Sequence, residues 1–171
     1  GASVLSWSKH IMNQVMSTAE QHNIDLYYID TDSIHIKECD VPRLAAIYKE
    51  KYGKELIGKQ MTQFHCDFDS FKGAVGEIHS RKLIALGKKS YLDILVDEEG
   101  NEGYHMRMRG CPKQCIINKC KRMGITVEEL YERLYRGEAI TFDLTDGCNC
   151  FKKTKTFQQI TLPQFNRKVQ F

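Results

Sequence analysis

Residues 24–37 read Ile24-Asp25-Leu26-Tyr27-Tyr28-Ile29-Asp30-Thr31-Asp32-Ser33-Ile34-His35-Ile36-Lys37, and the fold turns on how they are understood. The run from Ile24 to Ile29 has the β-branched and aromatic content of a strand. Ser33 to Lys37 alternates, with Ile34 and Ile36 on one face. Asp30-Thr31-Asp32 between them is short, polar and of turn composition. The two strands are therefore expected to pair as an antiparallel hairpin with an acidic tip. Carboxylates two residues apart then lie on about the same face of the chain, near enough to hold a divalent cation through hard oxygen ligands. Asp also occurs in turns for a blander reason, because its side chain bonds the local backbone, so the pair alone is a weak sign of a metal site.

Outward from this hairpin the pattern is helical on both sides. Val4, Ile11, Met12, Val15, Met16 and Ala19 follow an i, i+7, i+8, i+11, i+12 rhythm, widened by Leu5 and Trp7, which predicts an amphipathic helix to about Gln21 broken by His22-Asn23. Downstream, Asp40 stands at an N-cap, Pro42 in the first turn, Leu44, Ile47 and Tyr48 on one face and Gly53 at the C-terminal end. Strand patterns follow at Phe64–Phe71, Gly76–Leu86, Ser90–Val96 and Tyr104–Arg109, with Asp97-Glu98-Glu99-Gly100-Asn101 as a polar hairpin loop. Helical spacing returns in Ile116, Ile117, Cys120 and Met123 up to Gly124. The capping box Thr126-Val127-Glu128-Glu129 then opens a helix carrying Leu130, Tyr131 and Leu134, ended by Gly137. Ile140–Leu144 reads as a short strand, and the remainder is basic, polar and poor in periodicity. The fold class expected is α+β, an antiparallel sheet with packed helices.

The chain has 171 residues, enough for one domain with a small appendage and for a sizeable core. Hydrophobic residues make up 42% and charged ones 27%, which excludes disorder, collagen and coiled coil as the main state. No apolar run nears the roughly 20 residues of a bilayer span, and the opening lacks the charged and apolar regions of a signal peptide. The expectation is a soluble, non-secreted protein without a membrane partner. Gly1-Ala2-Ser3 leads into a helical pattern without an initiator Met, as in a fragment of a longer chain.

Seven cysteines, an odd number at loose spacing, fit small apolar residues in a reducing compartment, without structural disulfides. Cys111, Cys115 and Cys120 lie close in sequence, as do Cys148 and Cys150. The separation of Cys115 and Cys120, five residues along one expected helix, does not suit the short ligand pairs of structural zinc. Net charge is +3, distributed unevenly. Residues 148–171 carry Lys152, Lys153, Lys155, Arg167 and Lys168 and no acid. A charge run is ordinarily a solvated face. It also suffices to track a nucleic-acid backbone where the overall pI is modest.

Tyr28-Ile29-Asp30-Thr31-Asp32-Ser33 matches the Y-x-D-T-D-S motif of family B DNA polymerases at every specified position. Lys89-Ser90-Tyr91, preceded by Lys88, resembles the K-x-Y element that contacts the primer end. Arg107-Met108-Arg109-Gly110-Cys111-Pro112 is similar to the basic, Gly-containing stretch between palm and thumb. With Gln63-Phe64-His65 and Leu86-Gly87-Lys88-Lys89, nearly the whole chain resembles the organellar and viral branch of the family, which includes protein-primed enzymes.

The resemblance implies the C-terminal part of a palm over 1–112 and a small, mainly helical thumb with a basic C-terminal segment over 113–171. It implies nucleotidyl transfer from a dNTP to a primer 3′-hydroxyl with two Mg²⁺ ions, Mn²⁺ being a substitute. Asp32 is then the firmer metal ligand and Asp30 the supporting one. Lys88, Lys89, Tyr91, Arg109, Lys152, Lys153 and Lys155 are the DNA-binding candidates. The partners implied are primer–template DNA, dNTP and, in members that use one, a terminal priming protein. The family's first metal-binding Asp and its nucleotide-gripping K-x-x-x-N-S-x-Y-G element precede the motif seen here and are not among the 171 residues. Alone, such a piece is expected not to polymerise. An inactive palm-derived DNA-binding module is the alternative. A reverse transcriptase would show a D-D pair in place of Asp-Thr-Asp. Viral, plasmid and mitochondrial members share these motifs, which leaves localisation open.

If the basic tail tracks phosphates, replacing Lys152, Lys153 and Lys155 with Ala should flatten the salt dependence of DNA binding, because each phosphate neutralised adds roughly 0.7–0.9 to the log–log slope. A salt titration of a fluorescent primer–template checks this, and an unchanged slope would assign the tail to solvent.

Overall fold

The structure, a computed structural model, describes residues 2–68, 71–145, 151–153, 159–161 and 166–171. It is a mixed α+β fold of four helices and small antiparallel sheets among the described residues. No helix in them is long and apolar enough to cross a membrane. The chain divides into two compact units, Gly1–Asp67 and Phe68–Phe171. A palm-to-thumb boundary at 112/113, as the resemblance implies, would fall inside the second of these units.

The first unit pairs α1 (Ala2–Gln21) with α2 (Val41–Tyr52) and carries the hairpin β1 (Tyr28–Asp30) and β2 (Ser33–His35). The break after Gln21 is a Schellman arrangement. Asn23 takes a left-handed φ of 54°, its N–H reaches Glu20 O at 3.3 Å, and the Ile24 N–H reaches Ala19 O at 2.9 Å. That fold-back places Ile24 in a core with Val15, Ala19, Leu44, Tyr48 and Leu56, against which Leu26, Ile34 and Ile36 pack. The apolar face of the hairpin thus lies on the helix pair while its tip points the polar residues elsewhere. The first strand is shorter than its composition suggests, because Ile24 is committed to the helix end. Asp40 occupies the N-cap of α2, yet its carboxylate makes no capping bond there, and Gly53 ends the helix at a φ of 64°. The strand expected at Phe64–Phe71 is absent from the described residues of that stretch. The Phe64 N–H and C=O are already taken by Leu56 O and Gly58 N, in a single bridge with the 56–58 loop.

The second unit is built on a three-stranded antiparallel sheet in the order β3 (His79–Gly87), β4 (Ser90–Val96), β5 (Glu102–Arg107). Leu92 and Ile94 of the central strand, wholly buried, meet α3 (Lys113–Met123) and α4 (Val127–Tyr135) in a core with Ile116, Leu130, Tyr131, Leu134 and Phe142. Cys111, Cys115 and Cys120 are buried in that same core. A bulge at β3 turns Lys82 outward to meet Glu128 at 2.7 Å and Glu132 at 2.6 Å, fastening α4 to the sheet edge. The Thr126 hydroxyl accepts the Glu129 N–H at 3.1 Å, as the capping box requires. The basic tail contributes strands that its sequence does not announce. β7 (Phe151–Lys153) pairs with β8 (Gln159–Thr161), and β9 (Asn166–Val169) pairs with β6 (Ile140–Asp143), inserting Val169 into the core.

The loop between β4 and β5 rests on Asp97. Its carboxylate is buried and accepts four bonds, from the N–H groups of Val75, Glu99 and Asn101 and from the Asn101 amide, all between 2.7 and 3.0 Å. The Asn101 side chain is the largest cause holding its pKa below the ordinary value near 3.8. A group with a depressed folded pKa stabilises fully above its unfolded pKa and loses that contribution as pH falls through the folded value. Asp97→Asn, which would turn an N–H donor toward other donors, is therefore expected to lower the melting temperature at pH 7. The gap from wild type should close as pH drops below about 4. Thermal melts across pH 7 to 2 check it, and a gap independent of pH would contradict it.

Candidate functional site

The acidic tip is a two-residue loop between the paired residues Asp30 and Ser33. The Asp32 N–H bonds Asp30 O at 2.7 Å around Thr31, whose φ is 55°. This is a γ-turn in its positive-φ form, a strained conformation that a β-branched residue rarely adopts. The Ser33 hydroxyl donates to Asp30 O at 3.1 Å and ties the turn shut. The Thr31 hydroxyl donates to Asp30 Oδ1 at 3.1 Å, while Asp32 is exposed. Behind them, Tyr28 stands edge-on to His35, with ring centroids 5.5 Å apart, fixing the two strands side chain to side chain. Backbone strain held by its surroundings concentrates at functional sites.

Asp30 and Asp32 are hard, anionic oxygen donors of the kind Mg²⁺ takes. Among the described residues no three His, Cys, Asp or Glu side chains group closely enough to hold a metal ion. Two carboxylates suit an ion that takes its other ligands from water and substrate phosphates, as Mg²⁺ commonly does.

Lys88, Lys89, Tyr91 and Arg109 belong to the second unit, and the sheet gathers them at one end. Lys88 and Lys89 form the exposed two-residue loop between β3 and β4, and Lys89, like Thr31, takes a left-handed φ, 58°. Ser90, between Lys89 and Tyr91, is wholly buried, and its Oγ accepts the Arg109 N–H at 3.0 Å. The lysine tip is thereby joined to the exposed Arg109. The neighbouring Arg107 is held by its carbonyl, which accepts the Tyr131 hydroxyl at 2.8 Å. Burial is the largest cause raising the pKa of that phenol, which stays protonated as a donor. Arg167 of β9 comes to the same end, so close to Gly110 that a Cβ there would meet its guanidinium. Lys152 and Lys153 fall in β7, with their side chains outside the described residues, and Lys155 lies outside them altogether.

The sequence reading missed Ser90 and His105, and counted Arg167 only as one cation of the basic tail. Ser90 looked like the free position of K-x-Y. The place of His105, and that of Arg167 beside Gly110, come only from strand pairing. Alternation along β5, combined with the short loop that sets its pairing, would have put His105 on the face of Tyr91. The chain matches no protein-family model, no curated protein and no solved structure.

Relief of the strain at Thr31 should be measurable. The left-handed conformation costs a β-branched residue about 1–2 kcal/mol, and glycine returns roughly 0.5–1 kcal/mol of that as lost chain entropy. Thr31→Gly is expected to raise stability by about 0.5–1 kcal/mol in a urea titration. A lowered midpoint would mean that the turn is unstrained.

Proposed function

We propose that the chain is part of a family B DNA polymerase, carrying the C-terminal portion of its palm and the basic surface beyond it. The observation that carries this reading is the Asp-Thr-Asp tip itself. The motif matches at each specified position and lies on a strand–turn–strand hairpin whose central threonine is kept in a strained conformation. A turn needing only to reverse the chain would use Asn or Gly at that position.

Asp32 presents an exposed carboxylate at the tip, and Asp30 a second one oriented by the Thr31 hydroxyl. Together they would hold Mg²⁺ between protein and the triphosphate. Two such ions, when bound, activate the primer 3′-hydroxyl and stabilise the leaving pyrophosphate. The basic end of the second sheet suits primer–template DNA. Lys88, Lys89 and Arg109 are exposed there, and their backbones are fixed by Ser90 and the sheet register. Fixed cations at a duplex position the substrate without reading its sequence.

The test is Asp32→Asn in the longest natural polypeptide that carries these residues. Removing one anionic ligand should lower primer extension at least 100-fold, on the order of a lost charge-stabilising group at a reacting centre, while primer–template affinity and the melting temperature stay near wild type. Near-normal extension would remove the polymerase assignment. DNA binding without extension in the unaltered polypeptide would favour the inactive DNA-binding module.

A further inference from the structure

On the face of the second sheet away from α3 and α4, the strand register places Asp93 opposite His105, with Tyr91 on the diagonal. The Tyr91 hydroxyl and His105 Nε2 are 3.3 Å apart. The two rings lie nearly parallel at 23°, with centroids 5.8 Å apart. Phe68 stands edge-on to the imidazole, with ring centroids 6.1 Å apart. Beneath, Asp93 is wholly buried and accepts the Ser80 hydroxyl at 2.7 Å. A buried carboxylate in mid-strand is a costly choice if packing were its whole purpose, since an apolar residue of similar volume is usually as stable or more so.

Tyr91, the member of this cluster nearest the lysine tip, follows Ser90 directly, and the polymerase reading leaves His105 and Asp93 unused. We infer that His105 is a positioning residue for Tyr91, holding the tyrosine hydroxyl at the basic end of the sheet so that it meets the sugar-phosphate backbone of a duplex already aligned. Tyr91 has a rotatable ring and a single polar atom. Stacking on His105 fixes the plane of the ring, and the bond to Nε2 fixes the hydroxyl. The edge-on Phe68 ring is a further neighbour of the imidazole. A tyrosine ordered before binding loses less entropy when it engages DNA.

The inference rests on the reading of Tyr91 as a DNA contact, and a double-mutant cycle separates the two. Affinity for a fluorescein-labelled primer–template is measured by anisotropy in the full-length polypeptide for Tyr91→Phe, His105→Phe, their combination, His105→Gln and Lys89→Ala. His105→Phe keeps the stack and loses the bond. Tyr91→Phe and His105→Phe are each expected to weaken binding about three- to tenfold, the worth of one hydrogen bond. The double variant should be no weaker than either single one, and His105→Gln, which can still bond the phenol, should stay within about twofold of wild type. Should His105→Phe fail to show a single cooperative melt, His105→Leu takes its place in the cycle. Wild-type affinity in the substituted protein, or penalties that add, overturns the inference. If Lys89→Ala weakens binding while the His105 variants do not, only the role of His105 falls. If the unaltered protein binds no duplex, the reading of Tyr91 falls and the inference with it.

Discussion

Strand β4 is hydrogen-bonded along both edges, to β3 and to β5, and that double pairing leaves its side chains no freedom to choose a face. A shift of one residue would exchange Leu92 and Ile94, which fill the helix-covered core, for Tyr91 and Asp93. The register is therefore pinned by the burial of two large aliphatic side chains, worth about 1.5–3 kcal/mol each. Everything at the basic end follows from it. Ser90 is turned inward where it can take the Arg109 N–H, Lys88 and Lys89 are pushed into the loop, and Tyr91 comes diagonal to His105. The chemistry-bearing residues sit where they do because the hydrophobic residues between them cannot move.

The two hairpin tips share a device. Each reverses the chain in two residues and each puts a left-handed conformation on a residue that does not favour it, Thr31 in one and Lys89 in the other. Tight hairpins normally spend Gly or Asn at such positions. Thr62, outside any hairpin, takes a left-handed φ of 80° as well, so the two tips share this backbone strain with one further loop position.

Helices were the most legible part of the chain. The apolar rhythm of α1 from Ile11 to Ala19, the Asn23 break, the Thr126 capping box and the terminal Gly124 are local signals read by local physics, whereas Val4, Leu5 and Trp7, expected on the buried face, are exposed. The acidic hairpin was legible for the same reason, and with it Asp30 and Asp32. Strands whose existence depends on a distant partner were less so. Phe64–Phe71 has strand composition, but its first residue spends its backbone groups on a nearby loop. Asn166–Val169 has almost no apolar pattern yet is a strand, because β6 offers it an unpaired edge and the core accepts Val169. Within the site, Lys88, Lys89, Tyr91 and Arg109 could be named from motif alone. Ser90 and His105 meet partners 19 and 14 residues away, and only the register reveals those pairings.

The pairing of β9 with β6 also sets an order of assembly. The first unit closes on contacts drawn from residues 1–67, so during synthesis it can condense as soon as that stretch has left the ribosome. The second has its helices and its central sheet early, but β6 keeps an open edge and the core lacks Val169 until residues 166–169 emerge. For that interval an unpaired strand edge lies beside unfilled apolar volume, the combination most prone to mispairing between nascent chains. The run of lysines that separates β6 from β9 in the sequence gives this waiting segment a like charge from one chain to the next. Like charge on a run of chain is one of the devices by which sequences oppose pairing between copies.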